Sequence, residues 1–159
     1  MNEFGTLHDA NGRYALRFER YFSYKPEVVF RVMTNPSYFS QWYPFSTGEI
    51  DLRIGGKIAF DDGEGSTYEG IITELKTPHT FEFREVDDLI QISFLEKNRG
   101  CQMIFTHTFD DKEMAMYTAA GWHRCLDVFH QIVNEHPIEW KDNSAELREF
   151  YREAFNRIG

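Results

Sequence analysis

A chain of 159 residues, 42% apolar and 16% aromatic, carries enough apolar material for the core of one domain. Its net charge of −9 and isoelectric point near 5.1 argue against nucleic acid and anionic membrane surfaces as partners, because a polyanion repels both. Cys101 and Cys125 match no metal spacing, residues 1–14 lack an apolar signal core, and no apolar run could span a membrane, so a soluble cytoplasmic protein with free thiols and no membrane insertion is expected.

One domain is expected over residues 1–159, with residues 1–12 as a loose arm. Tyr14 to Phe22 reads as a strand with Leu16, Phe18 and Phe22 on one side. Pro26 suits a first helical position, Val28, Val29, Val32 and Met33 follow at helical spacing, and Asn35-Pro36 stops that helix. A second short helical turn runs from Pro36 to about Gln41 and ends in Trp42-Tyr43-Pro44.

From Thr47 to Phe109 the pattern becomes strands and turns. Strands are predicted over Gly48–Arg53, Lys57–Phe60, Thr67–Leu75, Thr80–Val86, Leu89–Leu95 and Cys101–Phe109, with Gly55-Gly56 and Asp61 to Gly65 among the turns. Short connections make the sheet antiparallel. Phe81, Phe83, Ile90, Ile92, Phe94, Met103, Phe105 and His107 fall on one face, and Glu82, Arg84, Gln91, Ser93 and Gln102 on the other.

Asp111 to Glu135 should form the longest helix, with a stripe of Thr118, Trp122, Cys125, Leu126, Phe129, Ile132 and Val133. Asp110-Asp111 favours its start and His136-Pro137 its end. Gly121 interrupts it at a cost of about 1 kcal/mol relative to alanine. Such a glycine lets something approach the backbone, either a sheet or a ligand lying between helix and sheet. Residues 143–158 form an amphipathic extension through Leu147, Phe150, Tyr151, Ala154, Phe155 and Ile158. Its apolar face needs a partner, on this domain or on the second subunit of a homodimer. The order is α+β, about seven strands curved around a long C-terminal helix.

Several segments together resemble a known family. They are Arg20-Tyr21-Phe22 with Pro26 to Phe30, Phe39 to Pro44, Asp51 to Gly56, Tyr68-Glu69-Gly70, Thr106-His107-Thr108, Gly121 to Asp127, and Tyr151 to Phe155. In this order they resemble the helix-grip superfamily of START domains and Bet v 1. More narrowly, they resemble bacterial single-domain proteins similar to the C-terminal domain of the Hsp90 ATPase activator. The resemblance implies a cavity between the long helix and the concave sheet face, holding a lipid-like, aromatic or polyketide molecule. Some relatives are cyclases. A chaperone partner follows from family analogy alone, and a single domain of this length leaves no place for the co-chaperone's additional N-terminal domain.

Under that resemblance the ligand-binding candidates are Trp42, Tyr43, Phe81, Phe83, Ile92, Met103, Phe105, His107, Thr118, Gly121, Trp122, Cys125 and Phe129. Each could equally be ordinary core. His107, polar among apolar neighbours, could orient a ligand or act as an acid or base, with Glu69 as the other weak catalytic candidate; a backbone partner would make His107 merely structural. Arg20 could turn inward toward Glu69 or Glu85. His123, Asp127 and His130 share a helix flank, but positions seven apart lie about 10 Å from one another, so a solvated flank is expected rather than a metal site. No cofactor motif is present: the glycine pairs sit in hairpins, not between a strand and a helix, and Cys125 has no evident base.

Overall fold

Two-residue alternation over ten-residue stretches builds one sheet, which a computed structural model describing residues 3–156 shows to be antiparallel and eight-stranded. The strands are β1 (Thr6–Ala10), β2 (Arg13–Phe22), β3 (Ser46–Ile50), β4 (Lys57–Asp61), β5 (Thr67–Lys76), β6 (Thr80–Glu85), β7 (Asp88–Lys97) and β8 (Gly100–Phe109). The spatial order is β1-β2-β8-β7-β6-β5-β4-β3. Strands β3 to β8 form a meander whose last member returns beside β2. The helices α1 (Pro26–Thr34) and α2 (Pro36–Trp42) therefore carry the chain from β2 to the opposite edge. A 3₁₀ turn at Lys112–Met114 leads into α3 (Ala115–Val133), and α4 (Ser144–Asn156) follows.

The predicted strand faces hold. Phe81, Phe83, Ile90, Ile92, Phe94, Met103 and Phe105 are fully buried, Phe94 against Phe30 of α1 and Phe105 against Trp122 of α3. Burying a side chain of this kind is worth about 1.5–3 kcal/mol, which makes this face the main source of stability. The α+β helix-grip arrangement is the one expected.

Three local expectations change, and one open alternative is resolved. Residues 6–10 are not a loose arm but the edge strand β1, pairing Leu7 with Leu16. Only Leu7 of the strand is buried, so its sequence has no alternation to read. Strand β3 starts earlier and stops at Ile50, because the next residues fold into a tight turn. There the Gly56 N–H donates to the Arg53 carbonyl, and a Cβ at Gly56 would lie 1.9 Å from the Asp51 carbonyl oxygen. The long helix begins at Ala115 because Asp111 caps the 3₁₀ turn, its Oδ1 accepting from the Glu113 N–H. Finally, the amphipathic extension finds its partner within the chain: α4 packs on α3, burying Leu147, Tyr151 and Phe155. Ile158 lies outside the described residues.

Candidate functional site

An open cavity of about 520 Å³ lies between the first half of α3 and the β6–β7 turn. Helix α3 contributes Thr118, Gly121 and Trp122, and the segment leaving α2 contributes Tyr43, Pro44 and Phe45. The sheet supplies Tyr68, Glu85 and His107, and the turn supplies Val86, Asp87 and Asp88. Gly121 is exposed, and a Cβ built on it meets no atom within 4 Å. The sheet is therefore not what approaches this glycine; its missing side chain opens cavity space.

Two apolar residues at the mouth hold backbone conformations that side chains disfavour. Val86, in the two-residue turn between paired Glu85 and Asp88, has φ +57°, and Phe45 has φ +63°. A β-branched residue at positive φ is a marked departure, and such strain gathers at functional sites. Phe45 is fixed by the Asp61 N–H, which donates to its carbonyl at 2.8 Å. Both side chains are more than half exposed.

Two hydrogen-bonded sets form the polar part of the cavity. The Trp122 indole N–H donates to His107 Nδ1 at 2.8 Å. Indole is only a donor, so Nδ1 keeps its lone pair and the imidazole proton sits on Nε2, which donates to Asp88 Oδ2 at 2.8 Å. The second set centres on Glu85. The Tyr43 hydroxyl donates to Oε2 at 2.6 Å and the Tyr68 hydroxyl to Oε1 at 3.1 Å. Burial raises the Glu85 carboxyl above its ordinary value, outweighing the lowering effect of the two phenols. Burial, reinforced by the Glu85 charge, likewise raises Tyr43 and Tyr68, so both phenols stay protonated as donors.

Of the predicted residues, Tyr43, His107, Thr118, Gly121 and Trp122 meet at this cavity. The others do not line it. Phe81, Phe83, Ile92, Met103 and Phe105 are packed core on the sheet, and Trp42 and Phe129 touch each other with ring centroids 5.1 Å apart. Cys125 is buried, its thiol pushed up to about 12 by that burial, which disfavours the thiolate. The cavity is thus confined to one end of the helix, because Trp122 against Phe105 and Tyr43 against Phe83 close the space beyond. Glu69 is exposed beside Lys57 at 3.6 Å, away from this site. Tyr68 and Glu85 were missed as site residues although strand parity could have found them. Glu85 shares the inward phase of Phe81 and Phe83, and Tyr68 that of Gly70 and Ile72.

Arg20 does turn inward, but its partner is Asp127 at 2.8 Å, not Glu69 or Glu85. The His123 flank is solvated only in part, at Asp127 and His130. His123 is buried, and its Nδ1 lies 2.9 Å from the Tyr151 hydroxyl, because α4 covers that side of α3. Glu3, His123 and Asp127 have ligand atoms within 4.8 Å of one another, so Glu3 takes the place the sequence suggested for His130. The Arg20 guanidinium already supplies the positive charge there, which disfavours a metal ion.

The comparisons with known proteins agree with this architecture. A structure of a conserved protein of unknown function from Enterococcus faecalis superposes with a TM-score of 0.83 at 19% identity, covering 98% of this chain and 92% of that one. CalU16 from Micromonospora echinospora superposes at 0.72 with 17% identity, covering 96% of each chain. An AHSA1-like protein from Aeromonas hydrophila gives 0.65 at 19% identity, covering 80% of this chain and 96% of that one. At these identities the likeness is one of fold. No curated protein matches the sequence. The family model described as Activator of Hsp90 ATPase homolog 1-like protein matches residues 23–134, from the end of β2 to the end of α3, and the chain belongs to that family.

Proposed function

We propose that this protein binds a small, largely apolar molecule, of lipid-like, aromatic or polyketide character, in the cavity between α3 and the β6–β7 turn. The observation that carries this reading is the cavity itself: about 520 Å³, apolar over most of its wall, with a helix glycine opening into it. Pockets for small ligands fall in this size range and combine apolar walls with a few placed polar groups. Here Trp122, Pro44, Phe45 and Val86 supply apolar surface, and Glu85 and the two phenols supply orientation.

Carriage or sensing is favoured over a cyclase or dehydratase. His107 is poorly placed as a base because Trp122 occupies its free lone pair, and Glu69 lies away from the cavity. A chaperone-docking role loses the apolar face it would need on α4, since Leu147, Tyr151 and Phe155 are spent on packing within the chain. Among the described residues no helix is long and apolar enough to cross a membrane.

The test is an amide NMR titration with neutral apolar aromatic alcohols. Saturable shifts should cluster on Gly121, Trp122, Tyr68 and Val86. Gly121→Leu, which projects a side chain into the open space, should weaken the affinity at least about tenfold while the spectrum stays folded. Equal affinity in that variant, or shifts centred elsewhere, would place the site wrongly.

A further inference from the structure

The charge of the cavity lining is one-sided. Glu85, Asp87 and Asp88 contribute carboxylates, and among the described residues no lysine or arginine lines it. Arg13 lies beside the cavity without lining it and is already engaged. It donates to Asp110 at 2.6 Å and to the Asp87 carbonyl at 2.8 Å, and reaches Asp88 only at 4.0 Å. Asp88 is further occupied by His107. Among the described residues Glu85 forms no such ion pair. Its half-buried carboxylate receives one phenol hydrogen bond on each oxygen and keeps acceptor capacity on both.

A buried carboxylate is ordinarily matched by a protein cation. Here that place faces open space, flanked by aromatic rings. Tyr43 and Trp122 stand with ring centroids 5.1 Å apart, and Tyr68 lines the same cavity. Ring faces attract an ammonium group, and a desolvated carboxylate beside them adds to that attraction. An anionic ligand would place like charges together in a partly dehydrated space. Phe45 and Val86, held exposed at the mouth, give an apolar body something to lie against.

From this we infer that the ligand carries a cationic amine on an apolar body, with the ammonium group against Glu85 and beside the rings of Tyr43, Tyr68 and Trp122 where they line the cavity. The inference rests on the apolar-cavity reading above and narrows it to a ligand class, setting aside fatty acids and other carboxylates. The raised carboxyl of Glu85 fits a charge that lacks its partner until an amine arrives.

Three probes of nearly equal shape decide it: phenylbutylamine, phenylbutanol and phenylbutyrate, titrated by calorimetry near neutral pH. The amine should bind about tenfold or more tightly than the alcohol, with the butyrate weakest. In Glu85→Gln the amine's advantage should fall to about twofold or less. Glu69→Gln removes the same formal charge from an exposed strand position away from the cavity and should leave the advantage intact, which separates the local carboxylate from the overall negative charge. Should Glu85→Gln not fold, the ranking of the three probes on the wild-type and Glu69→Gln proteins still decides the question. An alcohol that binds as well as the amine, a butyrate that matches it, or an advantage that survives Glu85→Gln overturns the inference but leaves the apolar cavity standing. Failure of all three probes to bind removes the apolar-cavity reading and the inference with it.

Discussion

Gly121 is the residue at which sequence and structure inform each other most. Its cost in a helix interior is legible from the sequence, but its cause is not, because a close sheet and an open cavity both call for a missing side chain. Open space around the position makes a small residue harmless to packing. Gly121→Ala should therefore stabilise the protein by about 1 kcal/mol, read as a higher urea midpoint at unchanged slope. A loss of stability would mean that the backbone there is held by something a methyl group displaces. His107 was legible as a polar exception on an apolar face. That its partners are an indole and an aspartate was not, because Asp88 and Trp122 reach it from different elements.

At the scale of elements, alternation made most strands readable and helical spacing made α3 and α4 readable. Strand β1 escaped notice because an edge strand with one buried side chain has almost no pattern. Where α4 docks was also hidden. The Tyr151 hydroxyl accepts the Gly5 N–H at 2.8 Å and contacts His123, so one phenol ties α4, α3 and the approach to β1 together. Tyr151→Phe leaves two buried polar groups without that partner and should cost about 1–3 kcal/mol. Hydrogen exchange should then quicken at Gly5 and Leu7 before it does in β7 or β8. Unchanged exchange at the β1 end would mean that pairing with β2 holds this segment without α4.

For the whole molecule, the buried His123 and the partly buried His130 set a pH dependence. Burial holds His123 and His130 below the usual 6.5, the nearby Arg20 adding to the effect and Asp127 opposing it. Between those lowered values and 6.5 the unfolded chain binds more protons than the folded one, so stability rises with pH across this window and is lost as pH falls through it. Glu85 acts in the opposite sense nearer the carboxylate range, since its folded value is raised. Thermal midpoints should therefore drop on acidification from neutrality through the imidazole range, and a flat profile there would show that neither histidine is desolvated. The sequence alone determined the class of fold, the faces of the strands and the stripe of the long helix, because side-chain direction follows from local periodicity. Only the tertiary structure decided where the cavity ends, that the Tyr43 and Tyr68 phenols converge on Glu85, and that Arg20 pairs with Asp127. A void is what remains after side chains from distant segments have filled their share of space, and that sum of volumes has no period along the chain.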